Sequence, residues 1–141
     1  METAVVLVVE SEALIRMSAV HIVEDAGYPA LGASNADEAI AILDARRDIR
    51  AVFTDIRMPG TMDGLRLAHA IRHRWPPIRL LVTSGLNVSP DEEFPPNWRF
   101  ILKPYTAEHV AAALHDLLGS HPAPLRLVAD SRRNDGKLAR R

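Results

Sequence analysis

The chain predicts an α/β fold, a parallel β-sheet covered by helices on both faces. Two observations carry that expectation. Short, β-branched apolar runs alternate five times with stretches of helical periodicity, which is the pattern parallel sheets require. Four of those apolar runs also end on polar or charged residues, as expected where one edge of an open α/β sheet gathers a site.

The first run, Thr3 to Val9, is continuous rather than alternating and reads as a fully buried central strand. A helical pattern follows from about Glu12 to Ala26, with Leu14, Ile15, Ala19, Ile22 and Ala26 as its apolar face. Ser11 is placed to cap its start and Gly27 to close it. Pro29 to Ala33 is a short strand, and its proline argues for a place near the sheet edge. Ser34-Asn35-Ala36-Asp37-Glu38 has the chemistry of a helix start. Ala51 to Asp55 is the third strand. A turn at Met58-Pro59-Gly60-Thr61 leads into a helix from about Asp63 to Trp75, with Leu65, Leu67, Ala68, Ile71 and Trp75 supplying its packing faces.

Ile78 to Thr83 and Arg99 to Leu102 are the fourth and fifth strands. Between them, Ser84 to Trp98 contains Pro90, Pro95 and Pro96, so any helix there is limited to one or two turns. A last helix runs from about Thr106 to Leu118 and stops at Gly119. Residues 120–141 lack periodicity and are expected to be mobile.

Composition sets the class. Of 141 residues, 48% are hydrophobic and 25% charged, enough for a real core in one soluble domain. With no cysteine, disulfides and thiolate metal sites are excluded. No apolar stretch approaches the roughly 20 residues of a membrane span, and Ala4 to Val9 is too short for a secretory signal core. The chain therefore reads as cytoplasmic. Residues 1–119 carry 11 basic and 16 acidic side chains, a net −5, while residues 120–141 carry 6 and 2, a net +4. An acidic body with a short basic tail is not the charge pattern of a nucleic-acid-binding domain.

The strand ends supply the chemistry. The first closes on Glu10-Ser11-Glu12, the third on Asp55, the fourth on Thr83-Ser84 and the fifth on Lys103-Pro104. Carboxylates of this kind hold a hard cation such as Mg²⁺. A carboxylate can also attack phosphorus, and an ammonium and a hydroxyl can bind the phosphoryl oxygens. Taken singly, Asp55 reads as a turn-capping acid and Lys103 as a snorkelling lysine. Lys103 is the single lysine beside ten arginines in residues 1–119, and a compact ammonium suits one phosphoryl oxygen better than a planar fork does. The six histidines show no supported metal spacing; only His69 and His73 stand four apart.

At these residues the sequence resembles response-regulator receiver domains, over about residues 4–118. The matching segments are Val-Leu-Val-Val-Glu-Ser-Glu at the first strand, Thr54-Asp55-Ile56-Arg57-Met58-Pro59 with Met62-Asp63-Gly64, Val82-Thr83-Ser84-Gly85, and Lys103-Pro104-Tyr105. The resemblance implies a doubly wound, flavodoxin-like sheet of order 2-1-3-4-5, with a receiver domain over 1–119 and a basic tail over 120–141. It implies that Asp55 accepts phosphate from a sensor histidine kinase or phosphotransfer protein. Mg²⁺ would be held by Glu10, Asp55 and the Arg57 main-chain carbonyl. Thr83 and Lys103 would sense the phosphoryl group, Phe100 would be the switch aromatic, and an unidentified output protein would read the state. The chain would be a phosphoacceptor rather than an enzyme, and a homodimer is compatible with the family.

Four departures stand out. Ser11 replaces a carboxylate that would ligate the metal, so Mg²⁺ binding is expected to be weak. The loop after Asp55 has one extra residue, Gly60-Thr61 before Met62. The fourth helix is degenerate. No effector domain is expected in the 22 residues after Gly119, which are too few for a DNA-binding fold. Ser11 keeps open a degenerate receiver acting as a phosphate-independent interaction module. A haloacid-dehalogenase-like phosphatase would need a second aspartate where Arg57 stands.

Overall fold

The computed structural model describes residues 4–56, 64–84 and 97–118. In chain order these form β1 (Val5–Val9), α1 (Ala13–Asp25), β2 (Ala30–Ala33), α2 (Ala36–Ala45), β3 (Ile49–Asp55), α3 (Gly64–Arg74), β4 (Arg79–Ser84), β5 (Trp98–Leu102) and α4 (Ala107–Leu118). The strands make one parallel sheet in the order β2-β1-β3-β4-β5. The doubly wound α/β arrangement expected from the sequence is the one observed. The expected degenerate fourth helix lies largely outside the described residues, as does the 120–141 tail.

Alternation along each strand sorts the core into two layers. Val5, Leu7 and Val9 pack with Ala39 and Leu43 of α2 and Leu67, Ala68 and Ile71 of α3. Val6 and Val8 pack with Ala19 and Val23 of α1 and Val110 and Leu114 of α4. β1 is buried on both faces because it has strands on both sides and helices above and below. This explains its unbroken apolar run. Pro29 precedes β2, which is indeed an edge strand.

The start of α1 differs from the expectation. Glu12, not Ser11, occupies the N-cap position, and no side chain caps it. Instead the Glu10 carboxylate reaches over Ser11 and accepts the Glu12 N–H at 3.0 Å. The apolar face of α1 is also rotated. Ala19 and Val23 are buried, whereas Leu14 is 81% exposed and Met17 57%. Ile15, Ala19 and Val23 share one stripe at four-residue steps, and Leu14 falls one position off it. The end of α1 is as expected: Gly27 takes φ +105°, a left-handed conformation glycine adopts without strain.

The α2 start is capped twice over. The Asn35 side chain accepts the Glu38 N–H at 2.8 Å, and Glu38 Oε1 accepts from the Ser34 N–H and hydroxyl at 2.6 and 2.8 Å. This is a variant of the capping box. The two Ser34 bonds hold the Glu38 carboxyl below its usual range. Asn35→Ala should cost about 1 kcal/mol, read as a lower urea midpoint. Because the folded pKa of Glu38 is depressed, its contribution is present above the ordinary glutamate value and is lost as pH falls through the lowered one. Glu38→Gln should therefore lower stability at neutral pH, and the difference from wild type should vanish in acid.

Candidate functional site

The carboxyl ends of the central strands finish at one level. β1 pairs Val9 with Thr54 of β3, and Asp55 pairs with Thr83 of β4. Alternation puts Glu10, Asp55 and Thr83 on the α1/α4 side, above Val8, Phe53 and Leu81. Together with Ala19 and Tyr105 they line a small cavity of about 10 Å³, room for one water. Glu10, Asp55 and Thr83 are 8%, 6% and 3% exposed, so two carboxylates and a hydroxyl are nearly dry.

Lys103 follows β5 and is half-buried. Its ammonium donates to Asp55 Oδ2 in an ion pair that bridges across β4. Burial pulls the Lys103 pKa down, but the hydrogen bond and the charges of Asp55 and Glu10 outweigh it and raise it above its ordinary value. The peptide from Lys103 to Pro104 is cis. Thr83 Oγ1 is buried and has no hydrogen-bond partner among the described residues.

The Asp55 main chain is held as well. Its carbonyl accepts from Thr54 Oγ1 at 3.2 Å. Ile56 N donates to Thr83 O at 2.9 Å, and Gly64 N donates to Ile56 O at 2.8 Å. α3 thus begins directly against the Asp55 backbone, and a Cβ on Gly64 would overlap the Asp55 carbonyl.

Of the residues singled out in the sequence, Glu10, Asp55, Thr83 and Lys103 are brought together. Ser11 lies beside them, half-buried, and makes no hydrogen bond with the described residues. Phe100 does not join them. It packs on the α2/α3 side of the sheet, against the layer containing Val82 and Trp98. Arg57 lies outside the described residues.

Two residues had no assigned role in the sequence. The half-buried Tyr105 ring meets Phe53 edge-on, with centroids 5.6 Å apart. Burial raises its hydroxyl pKa; Lys103 opposes the shift, while Glu10 and Asp55 reinforce it. Arg16 Nη1 donates to the Glu10 carbonyl at 2.8 Å. Tyr105 could be found from its place two residues after Lys103. Arg16 has no comparable signal in the sequence.

A larger cleft, about 700 Å³, opens at the opposite end of the sheet beside Arg46, Arg47, Arg50, Arg74 and Trp75. Much of its charge is matched locally, by Arg74 with Asp44 at 2.8 Å and by Arg46 with Asp48 at 2.6 Å. It lacks the convergence of carboxylate, hydroxyl and ammonium found around Asp55. His69 has its ring 5.2 Å from that of Trp98. Among the described residues no three His, Asp or Glu side chains group as a metal site.

Comparison with known proteins agrees with this geometry. Residues 6–115 match the model of the response regulator receiver domain family. The hydrogenase transcriptional regulatory protein HoxA of Cupriavidus necator is 35% identical over 111 residues, covering 76% of this chain and 22% of HoxA. The sensor kinase CckA of Brucella abortus is 29% identical over 124 residues, covering 82% of this chain and 13% of the kinase. The chain thus spans under a quarter of either relative. A response regulator receiver protein from Sinorhizobium medicae superposes with a TM-score of 0.72 at 26% identity, covering 83% of this chain and 95% of that one.

Two outcomes follow from the geometry. Gly64→Ala should destabilise by about 1–3 kcal/mol or more, because backbone rather than a movable side chain fills the space; chemical denaturation reads it. The folded pKa of Lys103 is raised, so the contribution of its ion pair is complete below the ordinary lysine value of 10.5 and is lost as pH rises through the higher folded value. The stability difference between wild type and Lys103→Met should stay flat from neutral pH to about 10 and shrink beyond it.

Proposed function

Because the chain belongs to the response regulator receiver domain family, we propose that it is a phosphate-operated switch in which Asp55 accepts a phosphoryl group from a sensor histidine kinase or phosphotransfer protein. One observation supports this above the others. A nearly dry aspartate is ion-paired to Lys103, beside a buried threonine hydroxyl with no hydrogen-bond partner among the described residues. A phosphoryl group on Asp55 would give both groups an acceptor. In the transfer, an Asp55 carboxylate oxygen forms a bond to phosphorus while the donor's nitrogen–phosphorus bond breaks. Lys103 would shift from the carboxylate to a phosphoryl oxygen, and the Thr83 hydroxyl would donate to another.

The donor set fits Mg²⁺. Glu10 and Asp55 are oxygen ligands, and Glu10 Oε1 has no partner among the described residues. Glu10, Asp55 and the Arg57 carbonyl would hold the ion, which when bound would neutralise charge on the carboxylate and the incoming phosphoryl oxygens. Ser11 offers a hydroxyl where a third carboxylate would strengthen the site. The chain is a stoichiometric acceptor, with at most intrinsic self-phosphorylation and dephosphorylation, and it acts on an output protein in the cytoplasm. Among the described residues no helix is long and apolar enough to cross a membrane. Ser11 also favours a second reading, a phosphate-independent interaction module.

Mass spectrometry separates the two. With Mg²⁺ and acetyl phosphate, wild type should gain about 80 Da, one phosphoryl group, and Asp55→Asn should gain nothing. An adduct that survives Asp55→Asn, or no adduct on wild type, would overturn the phosphoacceptor reading. Ser11→Asp should tighten Mg²⁺ binding by at least about tenfold with little change in stability, since Ser11 caps nothing. Calorimetric titration measures the gain.

A further inference from the structure

The Glu10 backbone sits where β1 stops and the chain turns into α1, and each of its polar groups has an assigned place. Its N–H donates to the Ala33 carbonyl at 3.0 Å, tying it to the end of β2. Its Oε2 accepts the Glu12 N–H at 3.0 Å. Its carbonyl has left the strand ladder and accepts from Arg16 Nη1 at 2.8 Å. With these three held, Glu10 Oε1 is left without a hydrogen bond among the described residues, and Glu10 lines the cavity shared with Asp55 and Thr83.

The path of Arg16 is itself built. Its stem crosses the surface of β2 at Gly32, where a Cβ would stand 3.2 Å from Arg16 Cδ and 3.3 Å from Cγ. Gly32 has no positive φ to explain it; what it provides is room for this stem. The head of Arg16 then lies between the Glu10 carbonyl and the field of Glu38, the acid that caps α2.

We propose that Arg16 is a positioning residue. By holding the Glu10 carbonyl through a track left open by Gly32, it aims the free Glu10 oxygen at the cation site. The inference rests on the receiver reading of that site. A site with Ser11 in place of an acid has few anionic ligands, so the aim of each one matters more.

Electrostatics and positioning make opposite forecasts. If Arg16 were only a nearby positive charge, removing it would tighten binding of a cation. If it positions Glu10, removing it loosens binding, as loss of an outer-shell partner does, by about tenfold or more. The experiment is calorimetric Mg²⁺ titration of the unphosphorylated full chain, with acetyl-phosphate labelling run alongside. Arg16→Met keeps the stem and removes the donors; it should weaken Mg²⁺ at least about tenfold, and excess Mg²⁺ should restore most of the labelling rate. Arg16→Lys, with one donor group and the charge retained, should fall between Arg16→Met and wild type. Gly32→Val, which suits a strand, should displace the stem and reproduce the loss. The double variant should be no worse than either single one, because both break one path.

Unchanged or tighter Mg²⁺ binding by Arg16→Met overturns the proposal, as does full additivity of the two variants. If wild type itself neither binds Mg²⁺ nor labels at Asp55, the receiver reading fails and takes this inference with it. If wild type does both, a null result for Arg16→Met is specific to Arg16.

Discussion

Five parallel strands in step have to finish together, and the site follows from that constraint. Glu10 comes one residue after Val9, and Asp55 one residue after Val9's partner Thr54. Thr83 pairs with Asp55 itself. Three side chains thus reach the same height through the ladder, with no loop needed to place them. The fifth strand sets a different problem. Ile101 is the residue level with Thr83, so Lys103 lies two residues higher, roughly 6–7 Å at a strand's rise. It also stands two strands from Asp55, about 10 Å at the usual spacing. A long, flexible stem closes that gap, and only the β5 position needs a side chain of that length.

The cost of the arrangement is electrostatic. A carboxylate 6% exposed, with a second carboxylate at the same level, is unfavourable unless compensated. Lys103 supplies the compensation through its ion pair with Asp55, which outweighs the opposing effect of its own burial. Among the described residues the buried Thr83 hydroxyl also has no hydrogen-bond partner, and a buried polar group left unsatisfied costs about 1–3 kcal/mol. Nothing in the packing of the sheet requires a hydroxyl there; a valine would fill the space. The fold carries this cost in a molecule whose two core layers are otherwise apolar and closed.

What was legible in the sequence was what periodicity and sharp chemistry encode. The five strands, their parallel sheet and the convergence of Glu10, Asp55, Thr83 and Lys103 come from alternation and from the polar residues that end the runs, while the strand order came from the resemblance to receiver domains. Gly27 and the α2 start were legible because φ > 0 and capping each have narrow residue preferences. Three features were not. Ser11 looked like the cap of α1, but the longer Glu10 side chain reaches the Glu12 N–H instead, a competition that local pattern does not rank. Leu14 looked like core because it is apolar and near the right spacing; one position of rotation puts it in water. Arg16 carries no motif at all. Its role depends on a side-chain path across β2, and only the fold brings Gly32 under it.

The same geometry separates the rigid part of the site from the part that can respond. Glu10, Asp55 and Thr83 sit at or just past the ends of β1, β3 and β4, the three inner strands of the sheet. The Asp55 backbone is further fixed by the start of α3, where Gly64 allows contact too close for any side chain. Lys103 alone among the four is mounted beyond an edge strand, half-exposed, and Tyr105 follows it, resting on Phe53 directly beneath Asp55. A change of charge at Asp55 therefore acts first on the β5–α4 connection, through the Lys103 ion pair and the field at the Tyr105 hydroxyl. Phe100 sits across the sheet from these groups. It belongs to β5, the strand that Lys103 follows, so a movement of that strand carries such a change across the sheet.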